Sequence, residues 1–318
     1  MNTPVLRLEN VSKEFSIGKR RSVKAVDDVS FSLGSGETLG IVGESGCGKT
    51  TLGRVAMRLI EPSSGSIYCG GRDITKVRGT ALKETRRQIQ MVFQDPFASL
   101  NPRMTIGRNI GDVLDIHRVG ARAERRDAVM KMLEAVGLGS DSYARYPHEF
   151  SGGQRQRAGI ARALILNPKI VVCDEPVSAL DVSVQSQILN LLAALKDEFG
   201  LSYLFIAHGL NVVRHLSDRI AVMHLGCFVE TAPCDELFSN PRHPYTQALI
   251  SAIPLPDPER KLSEKRIILE GDIPSPLDPP SGCAFHTRCR YAKDICKSQA
   301  PSMIGDGEHL TACHFPLD

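Results

Sequence analysis

A chain that runs Thr38-Leu39-Gly40-Ile41-Val42 into Gly43-Glu44-Ser45-Gly46-Cys47-Gly48-Lys49-Thr50 and on into Thr51-Leu52-Gly53-Arg54-Val55-Ala56-Met57 has few ways to fold there. The first run reads as a strand and the last as a helix, and the middle fits G-x-x-x-x-G-K-[S/T] at every fixed position. Glycines let backbone N–H groups turn inward on a phosphate, and the helix start adds a partial positive charge of about half a unit. Lys49 is then placed to neutralise the terminal phosphates, and Thr50 to bring its hydroxyl to a Mg²⁺ ion. The competing reading, a glycine-rich turn that happens to carry Lys-Thr, does not account for the flanking strand and helix.

Downstream, Ile170-Val171-Val172-Cys173 is an apolar run of the kind found in strands buried on both faces of a parallel sheet. It ends in Asp174-Glu175. Carboxylates at the carboxyl end of such a strand lie at the crevice where open α/β sheets bind ligands, so one can hold a metal while its neighbour orients water. Alone the pair reads as well as an acidic loop; the phosphate loop upstream favours the chemical reading.

With Ser151-Gly152-Gly153-Gln154, which opens a basic segment between them, these two stretches resemble the Walker A, signature and Walker B motifs of ABC-type ATPases. Gln94, after the strand-like Ile89-Gln90-Met91-Val92-Phe93, resembles the Q-loop glutamine, which in that family contacts Mg²⁺ and the transmembrane partner. Ser178-Ala179-Leu180-Asp181 resembles the D-loop, and His208, after Tyr203-Leu204-Phe205-Ile206-Ala207, the switch histidine at the γ-phosphate. The resemblance implies an α/β fold: a P-loop NTPase of ABC type with a RecA-like core, an antiparallel β subdomain, a helical signature subdomain and a Pro-rich C-terminal extension. It implies ATP and Mg²⁺, with Lys49, Glu175 and His208 catalytic and Thr50, Gln94 and Asp174 around the metal. ATP would be met by Gly43 through Thr51, by Gln94 and by Ser151, Gly153 and Gln154. In the family the signature faces the γ-phosphate of the opposite subunit, so hydrolysis implies a dimer.

Two positions depart from the family pattern: Phe150 stands where Leu commonly precedes the signature, and Gly209 where Asp commonly follows the histidine. The first exchange is conservative. The second removes a carboxylate beside His208 and bears on the loop's rigidity and the imidazole tautomer. Phe15 lies where the family places an aromatic ring against adenine; packing in the core of its own segment is the other reading.

The 318 residues, 42% hydrophobic and 24% charged, can bury a large core. No run approaches the roughly 18 apolar residues of a membrane span, and Met1-Asn2-Thr3-Pro4-Val5-Leu6-Arg7 lacks a signal-peptide core, so the expected location is cytoplasmic. A net charge of +3 gives no strong nucleic-acid footprint, and Arg122, Arg125 and Arg126 read as a solvated helix face. Residues 5–94 mix strands with glycine turns, 95–168 turn helical, and 169–230 alternate strand and helix as a parallel sheet does. This divides the chain into a nucleotide-binding domain, 1–240, with its helical subdomain at about 95–168, and an extension, 241–318.

The extension holds 11 of the 19 prolines, which disfavours long helices and central strands. It is expected to wrap on the core or to lie at the dimer interface. Pro241-Arg242-His243-Pro244-Tyr245-Thr246-Gln247-Ala248-Leu249 and Gly271-Asp272-Ile273-Pro274-Ser275-Pro276 resemble the C-terminal region of ATPases of oligopeptide and dipeptide importers, and Asp95-Pro96-Phe97-Ala98-Ser99-Leu100-Asn101-Pro102 points to the dipeptide-type second ATPase subunit. Importers of nickel chelates, glutathione and some oligosaccharides share the branch. The implied partners are two transmembrane permease subunits, a second ATPase subunit and an extracytoplasmic solute-binding protein, with no nucleic acid. The implied place is peripheral, at the cytoplasmic face of the cell membrane. A soluble ABC ATPase of DNA repair or translation is the competing class.

Of nine cysteines, Cys47, Cys69, Cys173, Cys227 and Cys234 are scattered through the first domain and read as buried small hydrophobes, except Cys47, whose place in the phosphate loop suggests a thiol that reagents reach and ATP protects. Cys283, Cys289, Cys296 and Cys313 cluster in the tail with His286, His309 and His314 nearby. Four thiolates can close a zinc site or hold an iron–sulfur cluster. The spacings of 5, 6 and 16 intervening residues are not those of a zinc ribbon. The family resemblance implies a [4Fe–4S] cluster first and zinc second; four reduced thiols without metal is the third reading.

Overall fold

The computed structural model describes residues 3–18, 21–253, 267–272 and 274–317. Residues 254–266 of the proline-rich tail and Ile273 of the Gly271–Pro276 segment lie outside the described residues. In chain order, β1 (Leu6–Ile17), β2 (Arg21–Leu33) and β3 (Thr38–Val42) lead to α1 (Lys49–Ala56), followed by β4 (Ser64–Cys69), β5 (Arg72–Asp73), α2 (Gly79–Gln88) and β6 (Ile89–Val92). Helices α3 (Pro96–Ser99), α4 (Ile106–His117), α5 (Arg122–Ala135) and α6 (Gly152–Leu164) come next. Then follow β7 (Ile170–Asp174), α7 (Val182–Phe199), β8 (Ser202–Ile206), α8 (Leu210–Arg214), β9 (Arg219–His224), β10 (Cys227–Pro233) and α9 (Cys234–Ser239). The tail supplies α10 (Pro244–Ser251), α11 (Asp294–Ser298), β11 (Ile304–Asp306) and β12 (His309–Thr311).

The large sheet has the order β11-β12-β10-β9-β3-β8-β7-β6, parallel from β9 to β6 and antiparallel beyond. Strands β3, β7 and β8 are buried at every residue. Their side chains alternate between two cores: Val42, Val171, Cys173, Tyr203 and Phe205 face one, and Leu39, Ile41, Ile170, Val172, Leu204 and Ile206 the other. That is why these strands read as continuous apolar runs rather than as alternation. The second core is closed by the antiparallel sheet β2-β1-β4-β5, through Leu6, Leu8, Val26 and Phe31.

Helices α3 to α6 occupy the stretch from Pro96 to Leu164. Helix α5 begins at Arg122, three residues before the expected Arg125, because the Glu124 carboxylate accepts the Ala121 N–H at 2.7 Å and closes the first turn. Arg122 and Arg126 are exposed, as expected of a solvated face. Arg125 is not: it pairs with Asp115 and donates to the Val119 carbonyl at 2.8 Å, binding α5 to the end of α4.

The extension wraps on the core. Tyr245 and Phe285, both fully buried, belong to the same apolar cluster as the sheet. The three-residue β12 adds to the sheet edge at β10, pairing Glu230 with Thr311 and Thr231 with Leu310, and so satisfies the proline constraint by its shortness. Glu230, with no exposed surface, anchors this junction: its carboxylate accepts the N–H groups of Arg242 at 2.6 Å and His243 at 3.0 Å and meets His309 Nε2 at 2.7 Å. Removing it orphans buried donors on both sides, so Glu230→Ala is expected to cost about 3–5 kcal/mol, read as a lowered urea midpoint together with lost amide protection at Arg242 and His243.

Candidate functional site

The parallel strands deliver their loops to one edge. From β3 comes the glycine-rich loop, which turns into α1 at Gly48 with φ of 109°. A side chain there would also collide with the Ala25 carbonyl, so only glycine fits. Buried Lys49 folds back over the loop and donates from Nζ to the carbonyls of Gly43 at 2.8 Å and Glu44 at 2.9 Å. From β7 comes Asp174, 2% exposed, whose Oδ1 accepts the Thr50 hydroxyl at 2.8 Å. Burial pushes the Asp174 carboxyl up, while Thr50, Arg54 and Lys49 pull the other way. From β6 comes Gln94, whose Nε2 donates to Glu175 Oε2 at 2.9 Å. From β8 comes His208, exposed at the strand's end.

Glu175 itself has a left-handed backbone, φ 47°, uncommon for a residue with a side chain. Its surroundings fix it there: its N–H donates to the Ile206 carbonyl at 2.9 Å, and its carbonyl accepts the Ser178 N–H at 3.2 Å and hydroxyl at 3.1 Å. Strain held in place by such bonds is what a functional side chain with a fixed direction requires.

Ser151 and Gln154 sit elsewhere. They form a reciprocal capping box at the start of α6, Gln154 N–H to Ser151 Oγ at 3.3 Å and Ser151 N–H to Gln154 Oε1 at 3.0 Å. Among the described residues no hydrogen bond joins this segment to the phosphate loop. Gly153 is buried; a methyl group there would come within 2.6 Å of Val184 Cγ1 on α7. Phe150 is also buried, under the Arg145 guanidinium at 4.4 Å, so the aromatic ring takes the place of an aliphatic one without leaving the core. Gly209 caps α8 with no side-chain hydrogen bond, a cap that Asp would supply.

One alternative falls and two expectations need correction. Phe15 is 39% exposed and carries the Lys13 ammonium over its ring at 5.1 Å, so it is not core packing. Glu44 does not present itself to phosphate: its N–H donates to the Tyr245 hydroxyl at 2.9 Å, and its carboxylate forms a two-point pair with Arg288 at 2.7 and 2.9 Å. Neither partner is visible from local sequence, since they lie 201 and 244 residues away. Cys47 is 5% exposed and burial raises its thiol pKa, so it is a shielded, weakly ionised thiol rather than a reactive one. It is expected to label with a thiol reagent at least about tenfold more slowly than a free thiol, with or without ATP, as mass spectrometry of the loop peptide will show.

In the extension, Cys283, Cys289, Cys296 and Cys313 line one narrow cavity with His243, His286 and His314. His309 is absent from it, being held between Glu230 and Glu236 at 2.7 Å each. Burial raises the Cys283 and Cys289 thiols and pushes Cys313 up to about 11. Among the described residues no three His, Cys, Asp or Glu side chains are arranged to hold a metal ion.

The family described as "ABC transporter" matches residues 26–178, and "Oligopeptide/dipeptide transporter, C-terminal region" matches residues 229–296. The oligopeptide transport ATP-binding protein AppF of Bacillus subtilis is 53% identical over 319 residues, covering 98% of this chain and 97% of that protein. The chain belongs to the ABC-transporter ATP-binding proteins, in their oligopeptide/dipeptide branch. The oligopeptide transport ATP-binding proteins OppF of Haemophilus influenzae and of Salmonella typhimurium are each 52% identical, over 95% and 92% of this chain and 91% and 88% of theirs. Among solved structures, the dimeric ATP-binding cassette MJ0796 in a post-hydrolysis state bound to ADP and Pi is 30% identical with a TM-score of 0.66, covering 72% of this chain and 98% of that one. The ABC ATPase fold, with its parallel core and antiparallel sheet, is thus established, and membership of a transporter branch sets aside the repair or translation class.

Proposed function

We propose that the chain is the ATP-hydrolysing subunit of a membrane importer for di- and oligopeptides, working as a dimer in which each ATP lies between one chain's phosphate loop and the other chain's signature. The observation that carries the chemistry is the pairing, at one sheet edge, of Thr50 with Asp174 and of Gln94 with Glu175. Lys49 exchanges its loop carbonyls for the terminal phosphates, and Glu175, held in its strained backbone, takes up the attacking water's proton. His208 adds a donor at the γ-phosphate, and Phe15 offers an exposed ring to adenine. Thr50, Asp174 and Gln94 would hold Mg²⁺, which when bound spreads the negative charge of the transferred group. Ser151, Gly153 and Gln154, at the first turn of α6, serve the nucleotide of the partner.

The transport role rests on kinship with the oligopeptide transport proteins and on the matched extension. Two permease subunits, a second ATPase subunit and an extracytoplasmic binding protein complete the assembly, and the chain sits peripherally at the cytoplasmic membrane face. No helix among the described residues is long and apolar enough to cross a membrane. The permease docks in the cleft between β6 and α4, where Phe93, Leu100 and Ile116 line a wall beside Gln94. A docked helix there bears on Gln94 and through it on Glu175. The division at about residue 240 follows the same reading, with the catalytic cassette before it and the extension after.

Glu175→Gln is expected to lower phosphate release by about 10²- to 10⁴-fold while ATP binding and ATP-driven dimerisation persist, as size-exclusion chromatography with Mg-ATP will show. Unchanged hydrolysis in the complete complex would overturn the assignment.

The four thiols that line one cavity match the donor set of a [4Fe–4S] cluster, which takes four cysteine sulfurs. Protein made and purified without oxygen is expected to carry iron and acid-labile sulfide in equal amounts, with Cys289→Ser losing both. Iron-free protein from that preparation defeats this part of the reading.

A further inference from the structure

The proline-rich extension reaches into the phosphate loop, and it does so at one residue. Every polar group of Glu44 is occupied: its N–H by the Tyr245 hydroxyl at 2.9 Å, its two carboxylate oxygens by Arg288 at 2.7 and 2.9 Å, and its carbonyl by Lys49 Nζ at 2.9 Å. The Arg288 side chain is 7% exposed and the Glu44 side chain 20%, so the pair is shielded from water on the cation's side. Planar two-point pairing fixes direction as well as distance. The residues behind it are packed aromatic rings. Tyr245 packs on Phe285 with ring centres 5.3 Å apart and on His224 at 4.7 Å, and the His224 edge meets Phe285 at 5.5 Å. Burial lowers the His224 pKa to about 4, so this aromatic block carries no charge of its own at neutral pH.

We propose that Arg288 and Tyr245 are positioning residues for ATP binding: the extension holds the second residue of the phosphate loop by its amide and carboxylate, and so sets the loop's shape and the resting place of Lys49. The inference rests on reading Gly43–Thr50 as the ATP site. It assigns the extension a part in the nucleotide site of its own chain, distinct from any part in assembly. A loop of three glycines within eight residues has large conformational freedom to lose when it closes on phosphate. Fixing one end beforehand lowers that cost, and the gain appears in affinity.

The test is a fluorescent ATP analogue, mant-ATP, titrated with Mg²⁺ into the full-length protein. Arg288→Gln and Glu44→Gln are each expected to raise its Kd by about tenfold. The double variant is expected to be no weaker than either single one, because both remove the same pair. Arg288→Lys, which keeps the charge and loses the fork, falls between. In the assembled complex the KM for ATP rises and kcat stays, which a general loss of fold would not produce. Tyr245→Phe deletes one oxygen at constant shape and is expected to weaken binding about threefold; it keeps the test decisive where Arg288→Gln does not fold. Binding within about twofold of wild type in Glu44→Gln and Tyr245→Phe, or losses that add in the double variant, would overturn the proposal. Lys49→Ala separates the two failures: if it too binds normally, the site assignment has failed, and if it alone loses binding, only the positioning role has.

Discussion

Five parallel strands, three of them buried at every residue, constrain all else in this protein. A strand buried on both faces can be polar only where it ends, and here four neighbouring strands end in polar loops at the same edge. β3 supplies the phosphate loop, β8 His208, β7 the Asp174-Glu175 pair and β6 Gln94. The order β3-β8-β7-β6 places the two carboxylates one strand away from the lysine loop, a separation that the Thr50 hydroxyl spans to reach Asp174 at 2.8 Å. No element needs to move for the Thr50 hydroxyl and the Asp174 carboxylate to meet. The sheet's own packing brings them together.

Ser151 and Gln154 lie at the start of α6, with no hydrogen bond to the phosphate loop among the described residues. The signature segment is fixed to its own chain through glycines: Gly152 lies against Leu180 and Gly153 against Val184, with room for no side chain at the second. Leu180 belongs to the loop that also holds the Glu175 carbonyl through Ser178. Signature, D-loop and candidate base thus lie in one packed chain of contacts.

Much of this was legible in the sequence, because the information is local. The phosphate loop carries its own strand and helix, β7 announces its double burial by an unbroken apolar run, and the helical stretch after Gln94 carries its own caps. What could not be read depends on residues far apart. The fate of Glu44 turns on Tyr245 and Arg288, and the strand at His309–Thr311 pairs on one side with β10 beside a buried Glu230 and on the other with β11. Phe15 was ambiguous because exposure is a tertiary property; its segment alone fits a core residue equally well. Cys47 misled in the opposite sense, since a loop position suggests access while the fold closes over it.

The extension is short of regular structure, yet it is attached by bonds with little tolerance for error. Its two anchors use the same device, a carboxylate of the cassette meeting donors of the tail: Glu230 takes the N–H groups of Arg242 and His243, and Glu44 takes the Arg288 fork. The first fixes where the tail begins. The second fixes it against the glycine-rich loop of the cassette, from a turn, His286–Arg288, that lies between two of the four clustered cysteines. The Glu44 carbonyl also receives Lys49, so the Arg288 fork, next in sequence to a cavity cysteine, and the loop lysine meet at one residue.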